Sequence, residues 1–270
     1  MLIRYGYEIT VFCSQPTAMV TQLGIREGRE ADLRKPEDFR TTPDIATHLY
    51  HDQFGNACRR FLAPVGPLTI YSDNLIEDTG QPDPYMPDAI QHDVADLPDD
   101  CLVYLMGSRY CETDRLSQMA WDTFGHIAPG WGRVQAICDF ANARIVFNYQ
   151  NARSTRTAAE AYEERTGVCR DFAHLAVALC RAMNIPARYV NGYLGDIGVP
   201  VVLPMDFAAW IEVYLGGAWR TFDPRNNVRR VGRIVIAHGR DAADVAMIYS
   251  FGPHDLVKFE VWASEEKGSR

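Results

Sequence analysis

A cysteine at the start of a predicted helix is the strongest candidate for chemistry in this sequence. Cys169 follows Gly167 and Val168, and apolar residues then recur at helical spacing from Phe172 to Met183. Unpaired N–H groups at a helix N-terminus favour a thiolate, which is the nucleophilic form of cysteine. Cys169 is therefore a candidate nucleophile. A small buried core residue remains an open interpretation at this point.

An aspartate further along the chain is the second candidate. Asp223 ends a predicted strand in the string Thr-Phe-Asp-Pro, after the hairpin signal Gly216-Gly217. A thiol nucleophile commonly works with a base and with an acid that orients this base. Asp223 fits the orienting role, although its position alone favours a strand-end turn residue before Pro224.

The histidines offer weaker candidates. His174 is five residues after Cys169, so it projects about 140° away from the cysteine around the helix and is predicted to pack or form hydrogen bonds. His48 and His51 have no evident third ligand, and thiol chemistry needs no metal. We therefore predict neither a metal site nor a cofactor.

Composition limits the classes of partner. The 270 residues carry 27 Lys and Arg against 35 Asp and Glu, a net charge of −8. This balance argues against nucleic acid and anionic membrane as partners, since both favour a basic patch. No stretch resembles a signal peptide or a membrane span, and seven cysteines favour free thiols. We expect a cytoplasmic protein.

The elements that must position these residues fall into two predicted domains. Residues 1–100 form a β-rich domain that ends in a Pro- and Asp-rich linker over 80–100, and residues 101–270 contain helices followed by antiparallel strands. This order predicts an α+β fold. The predicted strands cover 3–11, 19–25, 68–75, 187–194, 208–215, 218–223 and 256–262. The predicted helices begin at Asp114, near Trp131, at the capping box of Thr157 and near Cys169.

Several segments together resemble one family. Residues 166–175 (TGVCRDFAHL) resemble the nucleophile motif of the bacterial transglutaminase-like cysteine peptidases, and residues 180–193 fit the helix-to-strand passage that follows it. Residues 205–224 (MDFAAWIEVYLGGAWRTFDP) resemble the histidine strand, hairpin and aspartate strand of that family. The β-rich first hundred residues look like the N-terminal domain that often precedes this core. The resemblance spans nearly the whole chain.

The resemblance implies a papain-like core, with helices packed on an antiparallel sheet, and a Cys-His-Asp triad. Cys169 would be the nucleophile and Asp223 the orienting acid. Val168, Phe207 and Trp210 are candidates for the lining of the substrate cleft. Trp210 points to the same strand face as position 208, and a role as a core aromatic explains it equally well. The implied substrate is a peptide or protein amide, with water or an amine resolving a thioester.

This sequence departs from the family pattern at one position. The histidine belongs between Phe207 and Ala209, where Ala208 stands. Alanine accepts no proton, and loss of one triad member typically costs a factor of about 10³ or more in rate. The chain as written is expected to be nearly inactive.

Two explanations of Ala208 stay open. One is an engineered replacement that silences the enzyme, and the other is a natural pseudoenzyme that binds a peptide or protein in its cleft. A decaying site would drift at several positions, yet Cys169, Asp223 and Trp210 all match the motif. We therefore favour the engineered replacement.

Overall fold

The computed structural model of the protein describes residues 1–266, and its first strand shows how the N-terminal region folds. Ile3, Tyr5, Tyr7, Ile9 and Val11 alternate along this strand and are all buried, as the period of two in a β-strand requires. The strands of the first hundred residues are β1 (Leu2–Cys13), β2 (Thr17–Thr21), β3 (Arg40–Thr42), β4 (His48–His51), β5 (Ala57–Ala63) and β6 (Gly66–Glu77).

Five α-helices follow in the described part of the chain. They are α1 (Asp99–Leu102), α2 (Thr113–Phe124), α3 (Trp131–Arg144), α4 (Ala158–Glu164) and α5 (Cys169–Ala182). The predicted capping box is confirmed, because the Thr157 hydroxyl accepts from the N–H of Glu160 and the Glu160 carboxylate accepts from the N–H of Thr157. The predicted helix starts agree with the structure to within about one residue.

The remaining strands include the sheet that carries the candidate residues. They are β7 (Val146–Phe147), β8 (Thr166–Gly167), β9 (Ala187–Leu194), β10 (Ala208–Leu215), β11 (Ala218–Phe222), β12 (Arg233–Gly239), β13 (Ile248–Ser250) and β14 (Asp255–Glu265). Antiparallel pairing in the order β11-β10-β9-β12 forms the core sheet. Helix α5 packs on β9 and β10, and α2, α3 and α4 surround it, so every α5 residue from Asp171 onward is buried. The predicted α+β fold, with helices on an antiparallel sheet, is confirmed.

The two N-terminal sheets draw strands from both ends of the chain. One has the order β14-β1-β6-β3 and the other the order β13-β2-β5-β4. The tail strand predicted over 256–262 is therefore present, and it pairs with β1 rather than with the core sheet. The domain boundary at residue 100 stays a prediction. Strands β13 and β14, from beyond this boundary, pair with strands of the first hundred residues.

Some sequence expectations were incomplete. Strand β2 ends at Thr21 instead of continuing to Ile25. The short strands β3, β4, β7, β8 and β13 and the longer strands β5 and β12 were not predicted. Short strands with few residues give little periodic signal. The seven cysteines, all among the described residues, carry free thiols. Over residues 1–266, the helices are too short or too polar to cross a bilayer.

Candidate active site

Cys169 is the first residue of α5, and local interactions fix this helix start. The Asp171 carboxylate accepts a hydrogen bond from the Val168 N–H at 2.8 Å and pairs with Arg156 at 3.1 Å. Asp171 lies so close to Gly167 that a Cβ at Gly167 would be 2.6 Å from the aspartate side chain. The Gly-Val-Cys-Arg-Asp string therefore holds Cys169 at the helix N-terminus by packing and by capping.

The groups around the sulfur of Cys169 have opposing effects on the pKa of its thiol. The side chain is half-buried and lines a cavity of about 380 Å³. Burial raises the pKa of the thiol to about 11, and the Asp206 carboxylate adds to this rise. The backbone N–H groups of Ala209 and Arg170 and the Arg225 guanidinium lower the pKa but do not outweigh burial. The sequence-based expectation of a lowered thiol pKa is wrong for this arrangement.

The position of the missing histidine opens into the same cavity. Ala208 begins β10, lies opposite Gly192 on β9 and is half-buried. Both Ala208 and its neighbour Phe207 line the cavity with Cys169. A longer side chain at position 208 would therefore extend toward the space that the thiol faces.

Asp223 does not line this cavity, and its carboxylate already has several donors. Its Oδ1 accepts from the N–H groups of Arg225 and Asn226 at 3.1 and 2.9 Å. Its Oδ2 accepts from the Asn226 side chain and from the Arg233 guanidinium, both at 2.8 Å. Asn226 lines the cavity and donates to Asp223, so Asp223 lies directly behind this residue of the cavity wall.

Sequence reasoning missed the charged and polar residues of the cavity, among them Asp206, Arg225 and Asn226. Asp206 accepts from the N–H of Phe207 at 2.7 Å, and burial raises the pKa of its carboxyl. Arg225 stacks on the Phe147 ring at 4.3 Å and donates to the Asn226 side chain at 3.1 Å. The signal was their closeness in the sequence to the histidine position and to Asp223.

Two expected cleft residues lie elsewhere. Trp210 has no exposed surface, and the Arg233 guanidinium stacks over its ring at 4.9 Å. A Cβ at Gly192 would lie 2.6 Å from this ring, so Trp210 fills the space between β10 and β12. Trp210 is thus a core residue, which is one of its two predicted roles, and it does not line the cavity. Val168 is half-buried and is not among the lining residues of the cavity.

His174 is a core residue, in agreement with its predicted packing role. Its Nε2 accepts from the Ala242 N–H at 3.1 Å, and its ring stacks on Tyr110 at 5.2 Å. Burial lowers the pKa of this imidazole well below its usual range. His174 lies outside the cavity of Cys169 and offers no substitute base there.

The arrangement contains a candidate nucleophile and a candidate donor for an oxyanion. The N–H of Cys169 is the first of α5 and has no acceptor among the described backbone groups, so it is available to an oxyanion. An imidazole to take the thiol proton is missing at position 208. The geometry supports thiol chemistry in outline and lacks its usual proton acceptor.

Comparison with known proteins agrees with this fold. Residues 121–224 match the model of the transglutaminase-like superfamily. A “putative cysteine protease” from Cytophaga hutchinsonii is similar in structure, with a TM-score of 0.85, 30% identity, and coverage of 100% of this chain and 92% of that one.

Curated mycobacterial relatives are similar over shorter stretches. An uncharacterised protein of Mycobacterium leprae is 41% identical over 91 residues, 32% of each chain. An uncharacterised protein of Mycobacterium bovis is 31% identical over 166 residues, 55% of this chain and 52% of the relative. The match thus spans about a third to a half of these relatives.

The family model covers the segment from α2 to the residue after Asp223, and the Cytophaga structure covers the whole chain. The helix that presents Cys169 and the hairpin that carries positions 208 and 223 lie within the matched segment. The chain therefore belongs to the transglutaminase-like superfamily.

Proposed function

We propose that this protein derives from a thiol enzyme that acts on amide bonds, as a peptidase or amidase or as an acyltransferase. The Cys169 thiolate attacks the amide carbonyl, an S–C bond forms, and the C–N bond breaks as the amine leaves with a proton. Water then resolves the thioester to an acid, or an amine resolves it to a new amide. No cofactor enters this cycle.

One observation carries the proposal. The Cys169 thiol at the N-terminus of α5 and position 208 at the start of β10 line one cavity, with Asp223 directly behind its wall. In a thiol enzyme these places belong to the nucleophile, the base and the orienting acid. The similarity to the “putative cysteine protease” supports the same kind of enzyme.

The chain as written is expected to bind substrate with almost no turnover. Ala208 accepts no proton, and a thiol with a pKa of about 11 is almost wholly protonated at neutral pH. The departing amine also lacks a proton donor at position 208. An engineered or a natural alanine would have the same chemical consequence.

A binding module without catalysis is the second candidate, and Asp223 favours it. Each carboxylate oxygen of Asp223 already accepts two hydrogen bonds, from Arg225, Asn226 and Arg233. Neither oxygen is therefore free to accept a hydrogen bond from an imidazole. In this function the cavity holds a peptide or protein segment. Peptide or protein partners and a cytoplasmic location remain predictions under both candidates.

The test is a matched assay of this chain and its Ala208→His variant. Both are incubated with peptide amides and glutamine peptides, and acyl adducts are trapped and located by mass spectrometry. The double variant Ala208→His with Cys169→Ala is the control, since it keeps the imidazole and lacks the nucleophile. We expect an adduct on Cys169, and turnover, only in the Ala208→His protein. Binding of a common peptide by both forms, without any adduct, would instead support the binding module.

A further inference from the structure

A second cavity, of about 530 Å³, lies away from Cys169 between the N-terminal strands and the core sheet. Its walls include Arg26, Tyr104, Arg188, Trp219, His238 and Arg240. Arg188 is four residues from Gly192 along β9, or about 13 Å, and Gly192 pairs with position 208. The two cavities are therefore separate, and binding in the second does not depend on chemistry at Cys169.

Three guanidinium groups face this second cavity, and two of them have carboxylate partners. Arg188 donates to Glu212 at 2.7 Å and stacks on the Trp219 ring at 4.1 Å. Arg240 pairs with Asp244 at 2.9 Å. These pairs hold the two side chains in fixed positions on the cavity wall.

Arg26 differs, because it has only neutral acceptors. Its Nη1 donates to the Phe54 carbonyl at 3.0 Å and contacts the Asn56 side-chain oxygen at 3.4 Å. Within residues 1–266 it forms no salt bridge, although it is half-buried. Burial and the nearby Arg188 charge lower the pKa of Arg26, and the Glu212 and Asp52 carboxylates offset only part of this effect without bonding to the guanidinium.

His238 adds no further positive charge beside the two arginines. It is 4% exposed, and its Nε2 lies 3.5 Å from Nη1 of Arg188. Burial, with Arg188 and Arg26 adding to it, lowers the pKa of His238 to about 2, so the ring stays neutral. Asp99 and Asp100 line the cavity as well, but both are exposed, and they lie at its solvent side.

We propose that this cavity binds a small oxyanion, a carboxylate or a phosphate group, between Arg26 and Arg188. Planar guanidinium groups bind both kinds of oxyanion through paired, charge-assisted hydrogen bonds. An anion there accepts from the Arg26 N–H groups that bond to no carboxylate. The volume lies within the range of small-molecule sites, and Tyr104 and Trp219 provide an aromatic wall beside the anion.

The experiment titrates the whole protein with inorganic phosphate and, separately, with acetate, at constant ionic strength set by sodium chloride. Intrinsic tryptophan fluorescence follows binding, and the rise in unfolding midpoint checks it. Arg26→Gln should weaken binding by at least about tenfold. Arg60→Ala, which removes an exposed arginine of β5 outside the cavity, should leave binding unchanged.

A second variant keeps the proposal testable if Arg26→Gln does not fold. Asp100→Asn removes an exposed negative charge at the solvent side, so binding should tighten by a few-fold. If phosphate binds more tightly than acetate, the ligand is a phosphoryl group. If acetate binds more tightly than phosphate, the ligand is a carboxylate. The proposal is overturned if both anions act no differently from chloride, or if Arg60→Ala weakens binding as much as Arg26→Gln. An Asp100→Asn protein that binds either anion no more tightly than the original chain also contradicts it.

Discussion

At the scale of single residues, the candidate nucleophile is governed by its surroundings more than by its place on a helix. The sequence correctly located Cys169 at the start of α5, and the free N–H groups there do favour the thiolate. Burial and the Asp206 carboxylate favour the thiol more strongly. Sequence reasoning could not weigh these effects, because burial at residue 169 depends on loop residues that are distant along the chain.

Removing the Asp206 charge should make Cys169 more reactive. The carboxylate raises the thiol pKa, so Asp206→Asn lowers this pKa and increases the thiolate fraction at any pH below it. We expect alkylation of Cys169 by iodoacetamide at pH 9 to accelerate by a few-fold, measured by peptide mass spectrometry. Asp44→Asn, which removes an exposed charge outside the cavity, is the control. Equal or slower alkylation in the Asp206→Asn protein would show that this carboxylate does not act on the thiol.

Asp223 should contribute to stability even in the absence of an imidazole. The Asp223 side chain is 2% exposed and pairs with Arg233, which is 7% exposed. Removing one partner of a buried ion pair leaves the other uncompensated, and Asp83, which also pairs with Arg233, offsets part of this loss. We expect Asp223→Ala to lower the free energy of unfolding by about 3 kcal/mol in urea titrations.

The isosteric variant separates charge from hydrogen bonding at this position. Asp223→Asn keeps an oxygen for the N–H groups of Arg225 and Asn226 and should cost less than the alanine variant. If Asp223→Ala had the same free energy of unfolding as the original chain, the ion pair would not contribute to stability.

At the scale of elements, helix starts were predictable because their signals are local. The capping box of Thr157 and the string that leads into Cys169 contain the groups that satisfy the first N–H donors of α4 and α5. The core position of Trp210 was not predictable in the same way. Alternation along β10 gives the face of the strand, but the packing of Trp210 against Gly192 depends on β9 and β12.

The start of α5 should depend on the absence of a side chain at Gly167. A methyl group there would lie 2.6 Å from Asp171, which caps the helix and pairs with Arg156. We expect Gly167→Ala to lower the free energy of unfolding by about 2 kcal/mol. The matched control is Gly132→Ala in α3, where a Cβ meets nothing within 4 Å and alanine should not destabilise the helix. Equal stability of the two variants would contradict this packing.

At the scale of the whole molecule, the last two strands pair with the first two. Strand β14 pairs with β1 along ten residues, and β13 pairs with β2. A Cβ at Gly6 would lie 2.6 Å from the Trp262 ring, so β14 lies tightly on β1. Periodicity predicted the tail strand, but its partner is more than 240 residues away along the sequence, and pairing at that distance has no local signal.

Loss of β14 should therefore destabilise the N-terminal sheets. A chain that ends at residue 250 lacks one of the two partners of β1 and exposes an apolar strand edge, which promotes aggregation. We expect the shortened protein to unfold at lower urea concentration and to aggregate in light-scattering assays. Leu256→Ser, which changes an exposed residue of β14 and keeps the strand, should behave like the original chain. Unchanged solubility and midpoint in the shortened chain would contradict the structural role of this strand.

The pH dependence of Cys169 alkylation, in this chain and in Ala208→His, tests the proposed catalytic pair most directly. For the original chain we predict a rate that rises with pH to a midpoint near 11, set by the pKa of the thiol. An imidazolium beside the sulfur favours the thiolate, so the variant should show a midpoint lower by about two pH units or more. Cys101, whose pKa burial also raises to about 11, is an internal control that should not change. Identical midpoints for Cys169 in the two proteins would contradict the assignment of position 208 as the partner of a catalytic thiol.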